Sequence, residues 1–435
     1  MAVPLPRNAR LFCWFRVFFN ARFYYPVLAV FFVDLGLTLD EFAILNVAWA
    51  ASIVFFELPL GALADRIGRR PLVVAAAAIM VLEMAVLAFA PADNPRVLFW
   101  VFFVNRVLSG LAEAAASGAD EALAYDTLVA EGRRDQWPQV LSRLQRWMAV
   151  AAMGSMIIGA KVYDASQVNE VLAALGFDAR VDALTSARFP VYLTLGLAFC
   201  ALAVSLRMTE TKPERAAKSS IGDAVRRTLA IGRWIYTTPF ALAVILFALL
   251  VDSPGRIVVT LASSIYRMNG VPERYFGELA ALLGAVGFIA PFIAVRLMRT
   301  CSPWLIYGVI ALTMLTAVYG LATPSVELMI LCMAALGIAF NLLGFFTSHY
   351  LNMIAPSESR ATVLSFRSLA GNLSYGVFGA LYAVGFRWAA QAAPTDDDAL
   401  ARTLEWIPVT FFLLLLPVFI GARKVRNMRI CEKLG

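Results

Sequence analysis

The stretch GALADRIGRRPLV, residues 61–73, decides how the rest of the chain is organised. It carries four charges in six residues and lies between two apolar segments, 43–60 and 72–90. Each segment is long enough to cross a hydrocarbon core of about 30 Å. Short basic loops between spans face the cytoplasm, so we expect this loop to lie inside. Gly68 suits the positive φ of a tight turn, and Gly61 suits a close approach of two helices.

The spacing of this loop resembles the signature of the major facilitator superfamily, Gly-x-x-x-Asp-Arg-x-Gly-Arg-Arg. Every fixed position of that signature is filled here, by Gly61, Asp65, Arg66, Gly68, Arg69 and Arg70. A basic loop alone would indicate only an ordinary cytoplasmic turn, but the full spacing between two apolar spans favours the family. The resemblance implies twelve transmembrane helices in two pseudo-symmetric six-helix bundles, the MFS fold.

The composition separately predicts an all-α polytopic membrane protein. Of 435 residues, 61% are hydrophobic and 15% are charged, and the mean hydropathy is +0.74; soluble proteins carry roughly a quarter charged residues. The net charge of +7 falls largely in alternate loops, as membrane topology requires, so we expect no nucleic-acid partner. The cysteines lack metal-ligand spacing, and no phosphate-binding or hydrolase motif occurs. We expect no enzyme activity, no catalytic residue, no metal and no cofactor.

Apolar runs long enough to span a bilayer recur about twelve times along the chain. We assign 1–208 and 239–435 to the two bundles, and 209–238 to a basic cytoplasmic linker that contains an amphipathic helix. An even number of spans and a basic tail predict that both termini lie in the cytoplasm. We expect a multi-pass protein of the cytoplasmic (inner) membrane. We also expect it to be a monomer. The predicted spans are 11–35, 41–60, 72–90, 97–128, 140–162, 190–208, 240–266, 276–297, 304–321, 326–354, 362–386 and 406–422.

The two halves align without a gap when Arg22 is placed on Arg256. Gly36 then falls on Gly270, and Phe42 falls on Phe276. The agreement is short, but it lies where two six-helix repeats require it. We therefore predict that the turn at Gly36 is repeated at Gly270.

One face of the fourth predicted span carries ionisable residues, which are costly inside a bilayer. Arg106, Glu113 and Asp120 recur with Gly110 at helical spacing, so we expect them on one face. The pattern Arg106-x-x-x-Gly110 resembles a family motif that is associated with proton-coupled members. An arginine can hold a carboxylate and release it when a proton binds. Glu113, Asp120 and also Asp34 are the candidate proton carriers; the alternative is a buried structural network of ion pairs.

Asp126 lies at the cytoplasmic end of the fourth predicted span. The resemblance implies that such an acid pairs with the arginines of the signature loop. We expect Arg66 or Arg70 to meet Asp126, and Asp65 to face the end of a helix in the other half. These contacts would latch the cytoplasmic side shut while the cavity opens outward.

Arginines in the first and seventh spans form the candidate substrate site. Arg22 lies halfway along the first span, and Arg256 lies in the seventh with Asp252 one turn earlier. In the family these helices face the central cavity, and the arginine pair resembles the phosphate site of its organophosphate antiporters. Two guanidinium groups can grip a phosphate or a carboxylate. Tyr25 and Asn341 are further candidate contacts.

A structural alternative for these arginines stays open. It pairs Arg256 with Asp252, and it pairs Arg22 with Asp34 or an acid of the fourth span. The arginines would then hold the bundles together rather than bind a solute.

The family resemblance implies a secondary transporter that works by alternating access. We expect proton coupling and a small organic solute, of which an anion is the first candidate; coupling to another ion, and uniport, stay open. One alternative is a proton antiporter that exports drugs or amphiphiles, with Glu113 and Asp120 as counter-charges. A second is a sensor or assembly partner that has a transporter fold. The expected partners are the solute, protons and the lipid bilayer.

Overall fold

The computed structural model describes residues 5–91, 94–210, 221–287, 289–355 and 360–426. These residues form helices joined by short turns. The helices are α1 Arg7–Asn20, α2 Leu28–Asp34, α3 Leu39–Ile67, α4 Arg69–Ala88, α5 Pro95–Ala116, α6 Ala119–Ala130, α7 Trp137–Tyr163, α8 Ala165–Ala174, α9 Ala183–Leu206, α10 Ile221–Thr237, α11 Pro239–Thr260, α12 Ala262–Met268, α13 Phe276–Val286, α14 Ala290–Thr300, α15 Pro303–Gly320, α16 Val326–Ile354, α17 Arg360–Ala392 and α18 Asp396–Arg426.

The predicted helical membrane fold is confirmed. Within the described ranges, eleven helices or broken helix pairs are long and apolar enough to cross a membrane. The helix α7 becomes a twelfth span only when it is counted with α8, which bends away from it by 87°. Backbone groups inside a bilayer must be hydrogen-bonded within the chain, and helices satisfy that requirement.

The chain divides into two compact units. Unit 1 comprises Met1–Ala224 with Pro272–Ala281, and unit 2 comprises Val225–Val271 with Leu282–Gly435. In unit 1, α5 packs against both α3 and α4, and α9 packs against α4; in unit 2, α11 packs against α16, α17 and α18. The predicted boundaries at 208 and 239 stay a prediction. Part of the predicted linker, 211–220, lies outside the described residues, and α10 occupies the rest.

Four predicted spans are broken into two helices each. The fourth, expected as one helix over 97–128, ends as α5 at Ala116 and resumes as α6 after Gly118, whose φ is +73°. The first span is interrupted before a single 3-10 turn that contains Pro26, because proline lacks the amide that a continuous helix needs. The seventh and eighth predicted spans are each divided as well, into α11 with α12 and α13 with α14.

The last span begins ten residues earlier than predicted, at Asp396 instead of 406. The Thr395 hydroxyl accepts a hydrogen bond from the amide of Asp398 at 3.2 Å and donates to its carboxylate at 2.7 Å. Three aspartates in the first turn also favour the positive end of the helix dipole. Polar capping therefore extends this helix beyond its apolar core, which an apolar-run criterion does not detect.

The predicted repeat of the turn at Gly36 is confirmed. Gly36 and Gly270 both have positive φ, +108° and +73°. In each turn the glycine amide donates to the carbonyl three residues earlier, at 2.9 and 2.8 Å, and the next amide donates to the carbonyl five residues earlier, at 3.1 Å in both. The preceding helices α2 and α12 also coincide in the ungapped alignment, since 28 falls on 262 and 34 on 268.

We expect Gly270→Ala to lower the thermal unfolding midpoint of the detergent-solubilised protein. An alanine in the left-handed region costs about 1–2 kcal/mol. The control is Gly344→Ala in α16, where an added methyl group meets no atom within 4 Å. That variant should keep or raise the midpoint, because alanine favours a helix interior over glycine. Equal midpoints for the two variants would contradict the assigned turn.

Candidate functional site

The signature loop forms a tight turn at one end of unit 1, which we call the signature end. The helix α3 ends at Ile67 and α4 begins at Arg69, with Gly68 between them at φ +98°. The carboxylate of Glu210 accepts hydrogen bonds from the amides of Arg69 and Arg70 at 3.2 and 2.8 Å, and so caps α4. A Cβ atom on Gly68 would lie 2.8 Å from that carboxylate. Glycine is favoured here because its φ is positive and because a Cβ atom would displace the carboxylate that caps α4.

The two arginines after Gly68 have different partners. Arg70 donates to the carbonyl oxygens of Met208 at 2.6 Å and Leu206 at 3.1 Å, which are unsatisfied acceptors at the end of α9. Arg69 forms an ion pair with Asp126 near the end of α6. The prediction that Arg66 or Arg70 would pair with Asp126 was therefore wrong.

The geometry of the turn explains that correction. Arg66 lies before the turn on α3 and is exposed, whereas Arg69 starts α4 on the side of α6. Arg70 is already engaged by α9. The side chain of Asp65 lies outside the described residues. A Cβ atom on Gly61 would meet nothing within 4 Å, so the close helix approach predicted at Gly61 is absent from the described structure.

A buried asparagine of α1 joins two further segments at the signature end. The Asn8 amide of α1 donates to the Thr127 hydroxyl at 2.9 Å and to the Thr209 carbonyl at 2.8 Å, and its oxygen accepts from the Thr209 amide at 3.1 Å. Unit 1 is thus closed at this end by side chains that satisfy helix termini. Sequence reasoning missed Asn8 and Glu210, because a single polar residue in a connecting segment carries no pattern.

Asp120 is held by an arginine of α1. Its carboxylate is buried, and Arg16 approaches both of its oxygens, at 2.5 Å from Nε and 2.8 Å from Nη2. The amide of Glu121 also donates to it at 2.7 Å. This two-point contact is the geometry that guanidinium and carboxylate groups favour. It fixes α1 to the first turn of α6.

Arg22 is buried against an acid that the sequence did not single out. Arg22 is 3% exposed and Glu83 of α4 is 0% exposed, and they form an ion pair at 3.2 Å. The Asn105 amide of α5 donates to the Glu83 carbonyl at 2.9 Å. The alternative predicted that Arg22 forms a structural ion pair, and this is confirmed. The predicted partners were wrong, since Arg22 pairs with Glu83 and not with Asp34 or an acid of the fourth span. A lone acid within the apolar segment 72–90 was the available signal.

Arg106 and Glu113 do not form one stripe with Asp120. Arg106 is 4% exposed, and its guanidinium lies 5.0 Å from the Phe32 ring. Its Nε and Nη2 have no hydrogen-bond partner among the described residues. Glu113 is half-buried and interacts electrostatically with Arg22, Glu83 and Arg16. The expected common face ends at the break between α5 and α6, so Asp120 joins Arg16 while Glu113 lies near Arg22.

Two further predicted residues of unit 1 are more accessible. Asp34 is exposed at the end of α2 and accepts a hydrogen bond from the Tyr163 hydroxyl. Tyr25 is 44% exposed, and its ring contacts that of Tyr24 at 5.2 Å between centroids. Gly110 lies against α3, where a Cβ atom would come within 2.6 Å of the Trp49 carbonyl oxygen. The Arg106-x-x-x-Gly110 pattern therefore includes a helix contact.

Unit 2 contains an open polar cavity between α11 and α17. Arg256 donates to Asp252 at 2.6 Å and to the Asn372 side-chain oxygen at 3.1 Å, and it lies 5.2 Å from the Tyr375 ring. The pairing of Arg256 with Asp252 is the alternative that the sequence left open. The cavity is lined by Ala248, Leu249, Asp252, Arg256, Leu364, Arg367, Ser368, Gly371 and Asn372.

The cavity carries excess positive charge. Asp252 is the one acid among its described lining residues, and it is engaged by Arg256, so Arg367 adds an uncompensated cation. Sequence reasoning missed Arg367, although a charge within the predicted span 362–386 was a visible signal. Asn341 is exposed, donates to the Gly337 carbonyl of its own helix at 2.9 Å, and is not among the lining residues. An arginine-rich cavity of this kind suits carboxylate or phosphate groups.

We expect Arg69→Gln and Asp126→Asn each to reduce the free energy of unfolding by roughly 1 kcal/mol, because each removes one partner of a half-buried ion pair. Thermal unfolding in detergent measures the effect. The double variant should be no less stable than either single variant, since the interaction is lost only once. Arg66→Gln is the matched control and should be neutral. If Arg66→Gln were as costly as Arg69→Gln, the assigned pairing would be wrong.

We expect Arg22→Met to cost about 3–5 kcal/mol, because it leaves Glu83 charged and buried without its partner. The double variant Arg22→Met with Glu83→Leu removes both charges and should recover most of that loss. The yield of monodisperse protein and its unfolding midpoint provide the measurement. A double variant as unstable as the single one would show that the two charges do not stabilise each other.

Comparison with known proteins agrees with this fold. The family model of the Major Facilitator Superfamily matches residues 11–383. The crystal structure of the nucleoside transporter NupG is 12% identical, covers 95% of this chain and 98% of its own, and has a TM-score of 0.73. The inward-facing, unoccupied structure of a bacterial homologue of the human lysosomal transporter Spinster is 15% identical, covers 97% of this chain and 98% of its own, and has a TM-score of 0.68.

Comparison with curated proteins finds no significant match. The likeness to the solved structures, at these identities, concerns the fold. The family model spans most of the chain, and that coverage decides the classification. The protein belongs to the major facilitator superfamily and is a multi-pass membrane transporter, not an enzyme.

Proposed function

We propose that the protein is a proton-coupled secondary transporter that moves a small organic anion across the cytoplasmic membrane by alternating access. Residues 1–208 and 239–435 are the two bundles that alternate, and both termini lie in the cytoplasm. The observation that carries the substrate class is the polar cavity of unit 2, in which two arginines meet one acid. Membrane-embedded charge without a partner is costly, which favours a ligand that supplies the missing negative charge.

The anion contacts Arg256 and Arg367 in this proposal, with Asn372 and Asp252 fixing their orientation. Arg256 already holds the Asp252 carboxylate at 2.6 Å, so Arg367 is the cation available to a ligand. The predicted symmetric pair of Arg22 and Arg256 is revised, because Glu83 neutralises Arg22 inside unit 1. Tyr25 and Asn341 remain candidate contacts on the path, since both side chains are accessible.

Proton coupling resides in the buried charges of unit 1. Glu83 pairs with Arg22, and Glu113 is influenced by both Arg22 and Arg16, so a proton on either acid leaves Arg22 more available to the other. Arg106 is a further candidate for the coupling site, since two of its buried nitrogens lack a described partner. Asp120 is held at two points by Arg16, which makes it a weaker candidate than Glu113, and Asp34 is a candidate entry point because it is exposed.

The signature end acts as the gate in this proposal. Gly68, Arg69, Arg70 and Asp126 keep the end of unit 1 rigid through the contacts described above, and Arg66 is left exposed. Asp65 then forms the latch with the other bundle. Asp65→Asn should lower vesicle transport while substrate binding survives. Undiminished turnover would reject the latch.

The test of the substrate class is uptake into proteoliposomes with an imposed proton gradient. The probes are radiolabelled organic phosphates and carboxylates. Uptake of at least one should fall by about tenfold or more in Arg256→Ala, because a charge-assisted contact to the anion is lost. Gly371→Leu should block it too, since Gly371 lines the cavity and a Cβ atom there meets nothing within 4 Å. The matched control is Gly308→Leu on α15, which has equal free space outside the cavity and should retain uptake.

Other outcomes distinguish the remaining functions. In Glu113→Gln, uptake should no longer respond to the proton gradient. A proton leak that amphiphilic or cationic drugs stimulate, and that Glu113→Gln abolishes, would instead establish export of such compounds. If no solute of either class moves, a sensor or assembly partner with a transporter fold becomes the better account. The named solved structures, a nucleoside transporter and a lysosomal transporter homologue, add nucleosides to the panel of probes.

A further inference from the structure

Unit 2 holds a second open cavity, which is separate from the polar one and almost entirely apolar. It is a crevice between α17 and α18 with α11 at its base. The lining residues are Pro254, Ile257, Phe378, Leu381, Tyr382, Gly385, Thr403, Trp406, Ile407, Thr410 and Phe411. We call it the apolar crevice.

The same stretch of α11 divides the two cavities. Asp252 and Arg256, one turn apart, line the polar cavity, whereas Pro254 and Ile257 line the apolar crevice. Residues at these offsets point to different sides of a helix. The apolar crevice is therefore no part of the proposed anion site, and its occupant does not depend on that proposal.

The exposed apolar side chains beside the apolar crevice indicate that it opens toward lipid rather than toward water. The helices that form it, α11, α17 and α18, all belong to segments long and apolar enough to span a membrane. Leu381 and Trp406 lie at its mouth and are exposed. The surrounding surface of α17 and α18 is an apolar belt whose side chains are each more than half exposed, namely Val377, Val384, Val409 and Leu413.

The interior of the apolar crevice offers little to water or to a charged ligand. No charged residue is among its described lining residues. The hydroxyls of Tyr382 and Thr403 lie 3.4 Å apart, and Thr403 also donates to the Leu400 carbonyl at 2.8 Å, so they satisfy each other and the backbone. Apolar cavities of this kind stay dry and bind apolar molecules.

We propose that the apolar crevice is a binding site for one acyl chain of a bilayer phospholipid. The hydrocarbon interior of the bilayer supplies apolar chains at high concentration beside such an exposed apolar belt, and filling the void restores the dispersion contacts that its walls otherwise lack. The headgroup stays outside, because the lining has no cation to hold a phosphate. The site is selective for the chain and indifferent to the headgroup.

The test is photolabelling in proteoliposomes doped with a phosphatidylcholine that carries a diazirine on one acyl chain. After irradiation, mass spectrometry maps the modified residues. Phe378 and Phe411, which line the crevice and are not exposed, should be labelled at several times the level of Leu413 on the neighbouring belt. Gly385→Leu should reduce crevice labelling by about tenfold or more, because the new side chain displaces methylenes of the lipid. A Cβ atom at Gly385 meets nothing within 4 Å, so the variant is built into free space.

The matched control is Gly371→Leu on the same helix, which fills the polar cavity and should leave crevice labelling unchanged. Unfolding midpoints verify that both variants fold. Crevice labelling no stronger than that of Leu413, or unaltered by Gly385→Leu, would overturn the proposal. Absence of crevice labelling in the unaltered protein would also overturn the proposal if a protein cross-linker joined two copies through α17 or α18. A second copy would then cover the crevice. A phosphatidylglycerol probe should label equally; strong headgroup preference would contradict a chain-only site.

Discussion

A charge inside a bilayer is costly without a partner, and the pairing of buried charges governs how helices of unit 1 are joined. A charged side chain at the centre of a transmembrane helix costs about 2.5–3.5 kcal/mol on insertion scales, and more where no partner is available. Unit 1 meets this cost by pairing arginines of the first span with acids that are distant in sequence. Arg22 pairs with Glu83 of α4, and Arg16 pairs with Asp120 of α6. These contacts fix three spans to one another and neutralise the core.

In unit 2 the described ion pair lies within a single helix. Arg256 is paired within its own helix to Asp252, one turn away, and the cavity beside them receives a further cation from Arg367. Arg256 also donates a hydrogen bond to Asn372 of α17, so its contact between helices is a neutral hydrogen bond, whereas in unit 1 the ion pairs themselves join different helices. This contrast underlies the assignment of structural and coupling roles to the charges of unit 1 and of solute recognition to unit 2.

The elements that could be predicted from the sequence are those with local causes. The span 326–354 agrees at both ends with α16, and the turn at Gly36 recurs at Gly270, because apolar length and positive φ are properties of the segment itself. The turn predicted at Gly68 also agrees with the structure, in which Gly68 has positive φ between α3 and α4. The break at Gly118 was missed, because an isolated glycine within an apolar pattern is compatible with a continuous helix.

The parts that could not be predicted are choices between partners. Several arginines at the signature end could have met Asp126, and the choice of Arg69 depends on α9 having engaged Arg70. Glu83, Glu210 and Arg367 were overlooked because each is a single charge outside any motif, and their roles appear only when non-adjacent helices are assembled. Such single residues become functional candidates through the contacts they make in the folded chain, to helix amides for Glu210, to Arg22 for Glu83 and at the polar cavity for Arg367.

Ligand-induced thermal stabilisation can establish whether the solute is an anion recognised by the excess positive charge of unit 2. The purified protein and its Arg367→Gln variant are screened against matched anionic, neutral and cationic organic compounds. A ligand that binds only the folded form raises the unfolding midpoint. We expect anions to raise the unfolding midpoint of the wild-type protein, and we expect Arg367→Gln to abolish this rise. Stabilisation by cations or neutral amphiphiles, retained in Arg367→Gln, would contradict it.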